Sequence, residues 1–203
     1  MSVRERVRWD ARYRDLNAPY PDPDPLLFQF TPPAAPLIGE TAEIPLYSMP
    51  FADERREARA LDLAAGVGQN GLWLASQGYS VDLLDISREA LRRAQSEAGK
   101  RGLRRVNFLQ VDLDEAALQS EAYDVVCVFR YFQREVFPRI RACVRPGGRV
   151  IYQTFHTGYL REYPTFNPAF LAEVGELGGY FSDWQLLKSS DDDIQSQVVA
   201  IRP

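Results

Sequence analysis

Residues 64–71 read AAGVGQNG. Gly66, Gly68 and Gly71 stand in G-x-G-x-x-G spacing, the pattern of a dinucleotide-binding turn between a strand and a helix. The flanks supply both elements. "RALDLAA" ahead of the turn is a short strand, and "QNGLWLASQ" behind it is a helix stopped by Gly78. Asp85 follows at the distance where an acidic residue meets a ribose hydroxyl. The turn by itself fits a nicotinamide cofactor or another adenosine-bearing one, so the surrounding residues must decide.

Strand and helix patterns alternate from residue 58 onward. "YSVDLLDI" is a second strand. Ser87 is placed to cap the helix "REALRRAQSEAG", whose Ala90, Leu91, Ala94 and Ala98 form one apolar stripe. "RVNFLQVDL" and "YDVVCVFR" are the third and fourth strands. "FQREVFPRIRACV" is a helix in which Pro138 starts the main portion or kinks it. "RPGG" turns into a fifth strand, "RVIYQTF", with Gly147 and Gly148 permitting the turn. "NPAFLAEVGELGGYF" is a helical candidate interrupted by glycines. "DWQLLKSS" and "IQSQVVAIRP" close the chain as two strands joined through "DDD". Helical crossovers give a mostly parallel sheet, and the short last connection gives an antiparallel pair.

The region ahead of this pattern differs. Residues 2–18 read as a short helix, in which Val3 lies four from Val7 and Trp9 four from Tyr13. Nine of the fourteen prolines then fall between Pro19 and Pro50. Proline fixes φ and removes a donor, so regular sheet is not expected there. The large apolar groups of "LLFQF" and "PLYSMPF" argue against a free linker. The expected organisation is an N-terminal helix and proline-rich cover at 1–57, and an α/β domain at 58–203.

The whole chain narrows the chemistry. Its 203 residues suit one full-sized core, with 45% apolar and 26% charged residues. No apolar run reaches the length needed to span a bilayer, and the charged N-terminus lacks the apolar core of a secretory signal. A net charge of −4 argues against a nucleic-acid surface, although Arg4, Arg6, Arg8, Arg12 and Arg14 cluster at the start. That cluster reads first as a solvated helix face. Cys127 and Cys143 make neither a disulfide framework nor a zinc site, and Cys127 sits in an apolar strand where burial makes a thiol inert. His156 is the one histidine, so no metal site is expected. A reducing cytoplasm and metal-free chemistry are the expectation. Oligomeric state is not legible.

In an open α/β sheet, ligands sit outside the carboxyl ends of the strands. Asp62, four residues before Gly66, is an unhelpful neighbour for a pyrophosphate. It suits the ammonium of a methionine moiety; as an alternative, it braces the loop. Asp85 can accept from both ribose hydroxyls. Asp112, at the end of the third strand, can accept from an adenine amino group while Leu113 packs on the ring. "VFRYF", after the fourth strand, forms a bulky floor.

"LDLAAGVGQNG", Asp85, "VDL", "YDVVCVFRYF" and "VRPGGRVIYQTF" together resemble class I S-adenosylmethionine-dependent methyltransferases, over residues 58–203. "WDARY", "VFRYF" and "RVIYQTFHTG" are also similar to small bacterial methyltransferases of the tellurite-resistance group. The resemblance implies a Rossmann-like sheet of seven strands, mostly parallel, with helices on both faces. Its last strand would run antiparallel between the fifth and sixth. S-adenosylmethionine would be the cofactor and S-adenosylhomocysteine the product. Asp62, Ala64, Gly66, Gly68, Gln69, Asn70 and Gly71 would surround the methionine part. Asp85 would bind ribose, and Asp112 with Leu113 the adenine; Ile86 and Phe129 complete the candidate set.

The implied reaction is an in-line displacement in which positive charge leaves sulfur, so a weakly solvating pocket favours it. No dedicated catalytic residue is required, and none is obvious. Arg130, Tyr131 and Phe132 follow the fourth strand, and Phe155 and His156 the fifth; these are the candidates for the acceptor side. Trp9 and Tyr13 can fold over the same opening. His156 can take a proton near neutral pH, or it is a loop histidine bonded to backbone. A small-molecule thiol, oxygen, nitrogen or chalcogen nucleophile is the expected acceptor. "FRYF" departs from the pattern that amino-directed nucleic-acid methyltransferases carry after the fourth strand. A non-catalytic cofactor-binding module and a protein- or RNA-directed enzyme are the competing readings.

Overall fold

The computed structural model describes residues 3–15, 18–34 and 57–203. Its centre is β4 (Tyr123–Phe129), in which all seven residues are buried. A strand buried on both faces reads as a continuous apolar run, as "YDVVCVF" does. Alternate residues serve opposite faces. Val125, Cys127 and Phe129 join one core, and Val126 and Val128 join the other.

β1 (Arg59–Leu63) pairs parallel with β4 and with β2 (Ser80–Asp85), which pairs with β3 (Val106–Gln110). On the other side stand β5 (Val144–Phe155), then β7 (Gln195–Ile201), then β6 (Gln185–Asp192). The seven-stranded order is β3-β2-β1-β4-β5-β7-β6, and only β7 runs against its neighbours. The order therefore reverses between β1 and β4, and the tips of those strands form the switch point where a ligand binds.

α1 (Val3–Arg14), α2 (Pro25–Phe30), α3 (Gln69–Ser76), α4 (Arg88–Lys100), α5 (Phe137–Cys143) and α6 (Glu176–Gly179) are the helices. Residues of α2, α3 and α4 fill one core with Ala60, Val81 and Val125. α5 and α6 fill the other, where Phe137 stacks on Tyr152 and Tyr180. Ser87 caps α4 by accepting from the Ala90 N–H, and the stripe Ala90, Leu91, Ala94 and Ala98 is buried. Pro138 lies in the first turn of α5, where its missing N–H costs no helical bond.

Several elements depart from the sequence expectation. β3 ends at Gln110, so Asp112 lies in the turn beyond it. "RPGG" falls inside β5 as an excursion: Tyr123 pairs with Val144, and Val125 with Arg149. A Cβ on Gly148 would stand 2.9 Å from the backbone oxygens of Arg145 and Tyr123, so only glycine closes this bulge. The helical candidate at 167–181 shrinks to one turn at Pro168–Phe170 and the four residues of α6. Gly175, at φ +84°, supplies the break ahead of α6. Val3 and Val7 form no buried face of α1; both are exposed.

Residues 18–34 contain no strand. Asp24 caps α2 by accepting from the Leu26 N–H, and Pro25 occupies its first turn. Leu26 and Leu27 are buried in the same core as the sheet, so packing is shared across the expected 57/58 boundary. The rest of the proline-rich stretch, within 35–56 and including "PLYSMPF", lies outside the described residues.

Candidate cofactor-binding site

Two carboxylates stand at the tips of β1 and β2, and both are buried: Asp62 is 2% exposed and Asp85 7%. Asp62 Oδ2 accepts the Gly71 N–H at 2.7 Å. Asp85 Oδ2 accepts the Gly66 N–H at 2.7 Å, and its Oδ1 accepts the Ser87 N–H at 2.8 Å. The glycine turn is thus tied to a carboxylate at each end. Burial pushes the Asp62 carboxyl up to about 7, against the bonds from Gly71 and the Cys127 thiol. Burial also holds Asp85 above the usual carboxylate range, opposed by the N–H groups of Ser87 and Gly66. The bracing role open to Asp62 from the sequence is the one its Gly71 bond fills.

The glycines serve different needs. A Cβ on Gly71 would meet Leu83 Cδ2 at 2.7 Å, and one on Gly68 would meet Ala94 Cβ at 2.9 Å. These two glycines let α3 pack against β2 and α4. Gly66, at φ +57°, is buried, and a Cβ there would meet only the Tyr13 ring and hydroxyl, the oxygen at 2.8 Å. Ala64 shares this left-handed conformation, at φ +57°, where a Cβ is strained. Gln69 is 6% exposed, and its Oε1 has no hydrogen-bond partner among the described residues. Asn70 is committed elsewhere: its Oδ1 accepts the Asp24 N–H at 2.9 Å.

The later strand tips are arranged differently. Asp112 Oδ1 accepts the Asp114 N–H at 3.0 Å, and Ile86 O accepts from Gln110 at 3.3 Å. Leu113, expected against an adenine ring, is 3% exposed and belongs to the core. Phe129 and Phe132 are likewise core residues, because the alternation of β4 and the turn after it point them at α3 and α5 respectively. Arg130 is exposed, with a strained φ of +57° and its N–H on Gln153 O. The Tyr131 hydroxyl donates to Gln133, which donates to Asp114. His156 is 4% exposed; its Nδ1 accepts the Gly158 N–H at 2.9 Å and its Nε2 lies 2.7 Å from Asp192 O. The first bond leaves the ring proton on Nε2, which donates to Asp192 O. Both ring nitrogens are therefore used by backbone, and no base is available there.

Residues 60–148 match the family model described as a methyltransferase domain. They contain the glycine turn, Asp85, Asp112 and all of β4. Over these residues the chain is similar to methyltransferase domains. "Hemagglutinin 1" of Eikenella corrodens is 33% identical over 139 residues, 64% of this chain and 45% of that protein. The "Ubiquinone biosynthesis O-methyltransferase" of Escherichia fergusonii is 33% identical over 104 residues, covering 48% of this chain and 43% of its own. This chain spans less than half the length of either relative. The crystal structure of TehB from Haemophilus influenzae superposes with a TM-score of 0.63 at 18% identity, over 71% of this chain and 57% of that one. Identity at that level speaks for the fold.

Class I methyltransferase domains imply S-adenosylmethionine, and the residues present fit it. A pyrophosphate needs free N–H groups at the start of α3, and here Asp62 takes the Gly71 N–H. What the turn offers instead is acceptors: two buried carboxylates and Gln69 Oε1, unpartnered among the described residues. Such a set suits a cationic ligand bearing hydroxyls and an ammonium. A cleft of about 330 Å³ adjoins the tip of β4, lined by Glu5, Tyr131, Gln133, Arg134 and Phe170 among others. A larger one of about 640 Å³, bounded by Trp73, Gly78 and Arg105, lies at the amino ends of the strands and away from the switch point. Sequence reasoning missed Tyr20, whose hydroxyl donates to Val67 O at 2.6 Å on the glycine turn. It also missed Tyr159 and Tyr163, which stack in series on the acceptor-side candidate Phe155 with centroids 4.3 and 4.4 Å apart. The "GYLREY" spacing, placing tyrosines four apart, was the available signal for the latter. Among the described residues, no group of metal-ligating side chains assembles, and no helix is long and apolar enough to cross a membrane.

Proposed function

We propose that this methyltransferase domain moves a methyl group from S-adenosylmethionine to a small-molecule nucleophile by in-line displacement. One observation carries the reading: both ends of the glycine turn are tied to buried carboxylates, which suits a cationic adenosyl ligand and disfavours a phosphate-bearing one. Asp85 accepts from the ribose, with its second lone pairs left by Gly66 and Ser87. Gln69 and Asp62 accept from the methionine ammonium, and Asp112 from the adenine amino group. When bound, the cofactor supplies an electrophilic methyl on a sulfonium.

The chain's own contribution is position and exclusion of water. Arg130 and Tyr131, after β4, and Phe155, at the end of β5, border the acceptor side. Burial holds the Tyr131 phenol above its ordinary range, so it keeps its proton and does not act as a base. With His156 engaged by backbone, the favoured acceptor ionises without help, as thiols and related chalcogen nucleophiles do. The E. fergusonii relative is named as an O-methyltransferase, so phenols belong in the same screen.

Release of S-adenosylhomocysteine, followed over a panel of thiols, phenols, amines and oxyanions, tests this. Turnover on at least one small acceptor, fastest with the most acidic thiols, is the expected result. Binding of the cofactor with no turnover on any acceptor would favour a non-catalytic module. Turnover confined to protein or RNA would reassign the substrate class.

A further inference from the structure

Ser87 joins two parts of the molecule that are far apart in sequence. Its backbone N–H donates to Asp85, the carboxylate that also holds Gly66. Its hydroxyl accepts from the Ala90 N–H and donates to Asp10 Oδ1 of α1 at 2.7 Å. Asp10 Oδ1 also accepts the Glu89 N–H at 3.2 Å, so its charge sits at the amino end of α4, where a helix favours an anion. Three residues on, and so on the same side of α1, Tyr13 sets its hydroxyl against Gly66. Burial and the nearby Asp85 carboxylate push that phenol up to about 12.

α1 lies at the surface of the domain. None of its residues is fully buried, and Val3 and Val7 face solvent. A helix of 12 residues is marginal on its own in water. We propose that Asp10 is a positioning residue for the cofactor cradle: its bond to Ser87 latches α1 onto α4 and roofs Gly66 with Tyr13. This rests on the adenosyl-cofactor reading above. The relay from Asp10 through Ser87 and Asp85 to Gly66 makes the latch and the ribose carboxylate share one residue. Cofactor affinity then depends on a side chain with no contact to the reacting atoms.

Two variants separate the latch from a general effect of charge. Asp10→Ala removes the acceptor, whereas Asp10→Asn keeps an oxygen for Ser87 and Glu89. Hydrogen exchange of the α1 amides is measured in the full chain, with and without S-adenosylhomocysteine, alongside calorimetric affinity for that compound. Asp10→Ala is expected to speed α1 exchange and to weaken affinity about tenfold or more, the scale of one lost charge-assisted hydrogen bond. Asp10→Asn is expected to stay within about threefold of the parent on both readouts. Unchanged α1 exchange in Asp10→Ala would overturn the latch. Faster exchange with unchanged affinity would overturn its link to the cradle. Failure of the parent protein to bind the compound would instead defeat the cofactor reading, and the exchange comparison would then judge the latch alone.

Discussion

At the tips of β1 and β2, buried carboxylates hold the backbone of the glycine turn and keep lone pairs over. At the tips of β4 and β5, Arg130 is exposed, while Tyr131 and His156 are committed to the protein's own bonds. His156 bridges Gly158 and Asp192, and Tyr131 is bonded to Gln133. Both pairs of tips lie on one edge of one sheet, and the contrast separates binding from chemistry. On the proposed function, the first pair is the cofactor-binding side, where acceptors meet the ligand's donors. The second builds walls and supplies no proton acceptor. Such a division suits a reaction whose donor is already activated and whose demands are orientation and a dry pocket.

Each half can be broken separately. The largest effect is expected from Asp62→Asn. In the parent, the folded carboxyl is pushed up to about 7, above its unfolded value, so the folded state binds more protons between about pH 4 and pH 7. Stability from this group is therefore full below that window and falls as pH rises through it, by up to about 4 kcal/mol at 1.4 kcal/mol per pKa unit. Asp62→Asn should remove that slope in melting curves recorded across the window. An identical slope in both proteins would refute the buried-carboxylate half of the contrast.

His156→Ala tests the other half. It strands the half-buried Gly158 N–H and leaves the Asp192 carbonyl to solvent, and should lower stability by about 1–3 kcal/mol. The pH profile of methyl transfer in the surviving folded fraction should keep its shape. Loss of an ionisation from that profile would make His156 a base after all.

The glycines come next. Gly71→Ala puts a Cβ into Leu83 and Asp62 and should lower stability by about 1–3 kcal/mol. Gly66→Ala meets only the end of Tyr13 and a left-handed φ, costing about 1 kcal/mol, with its main effect on cofactor affinity. Thermal melts and calorimetry on both variants read the two effects apart. The smallest change is Ala64→Gly, which relieves a left-handed alanine and should raise stability by up to about 1 kcal/mol.

Much of the sheet was legible because its signals are local. "YDVVCVF" carries its burial in its own composition, Ser87 its cap in its position, and Pro138 its helix start. The glycine turn and Asp85 are equally local. What could not be read depends on distant partners. Nothing near His156 foretells a carbonyl 36 residues away, and nothing near Asp10 foretells Ser87, 77 residues on. Leu113, Phe129 and Phe132 sit at strand tips, where a pattern of apolar residues fits a ligand floor or a core equally well. Only the direction of each side chain separates these, and all three point into the core. The third glycine illustrates the same ambiguity: the approach of Leu83 and Asp62 to Gly71 already requires a glycine there.

Calorimetry of the parent protein and Asp85→Ala with S-adenosylhomocysteine, and of the parent with NADH, tests the central claim most directly. The parent should bind S-adenosylhomocysteine and ignore NADH. Asp85→Ala should bind about a hundredfold more weakly, as expected when hydrogen bonds to a charged acceptor are lost. Binding of NADH in place of the adenosyl compound, or equal affinity in the two proteins, would contradict the account.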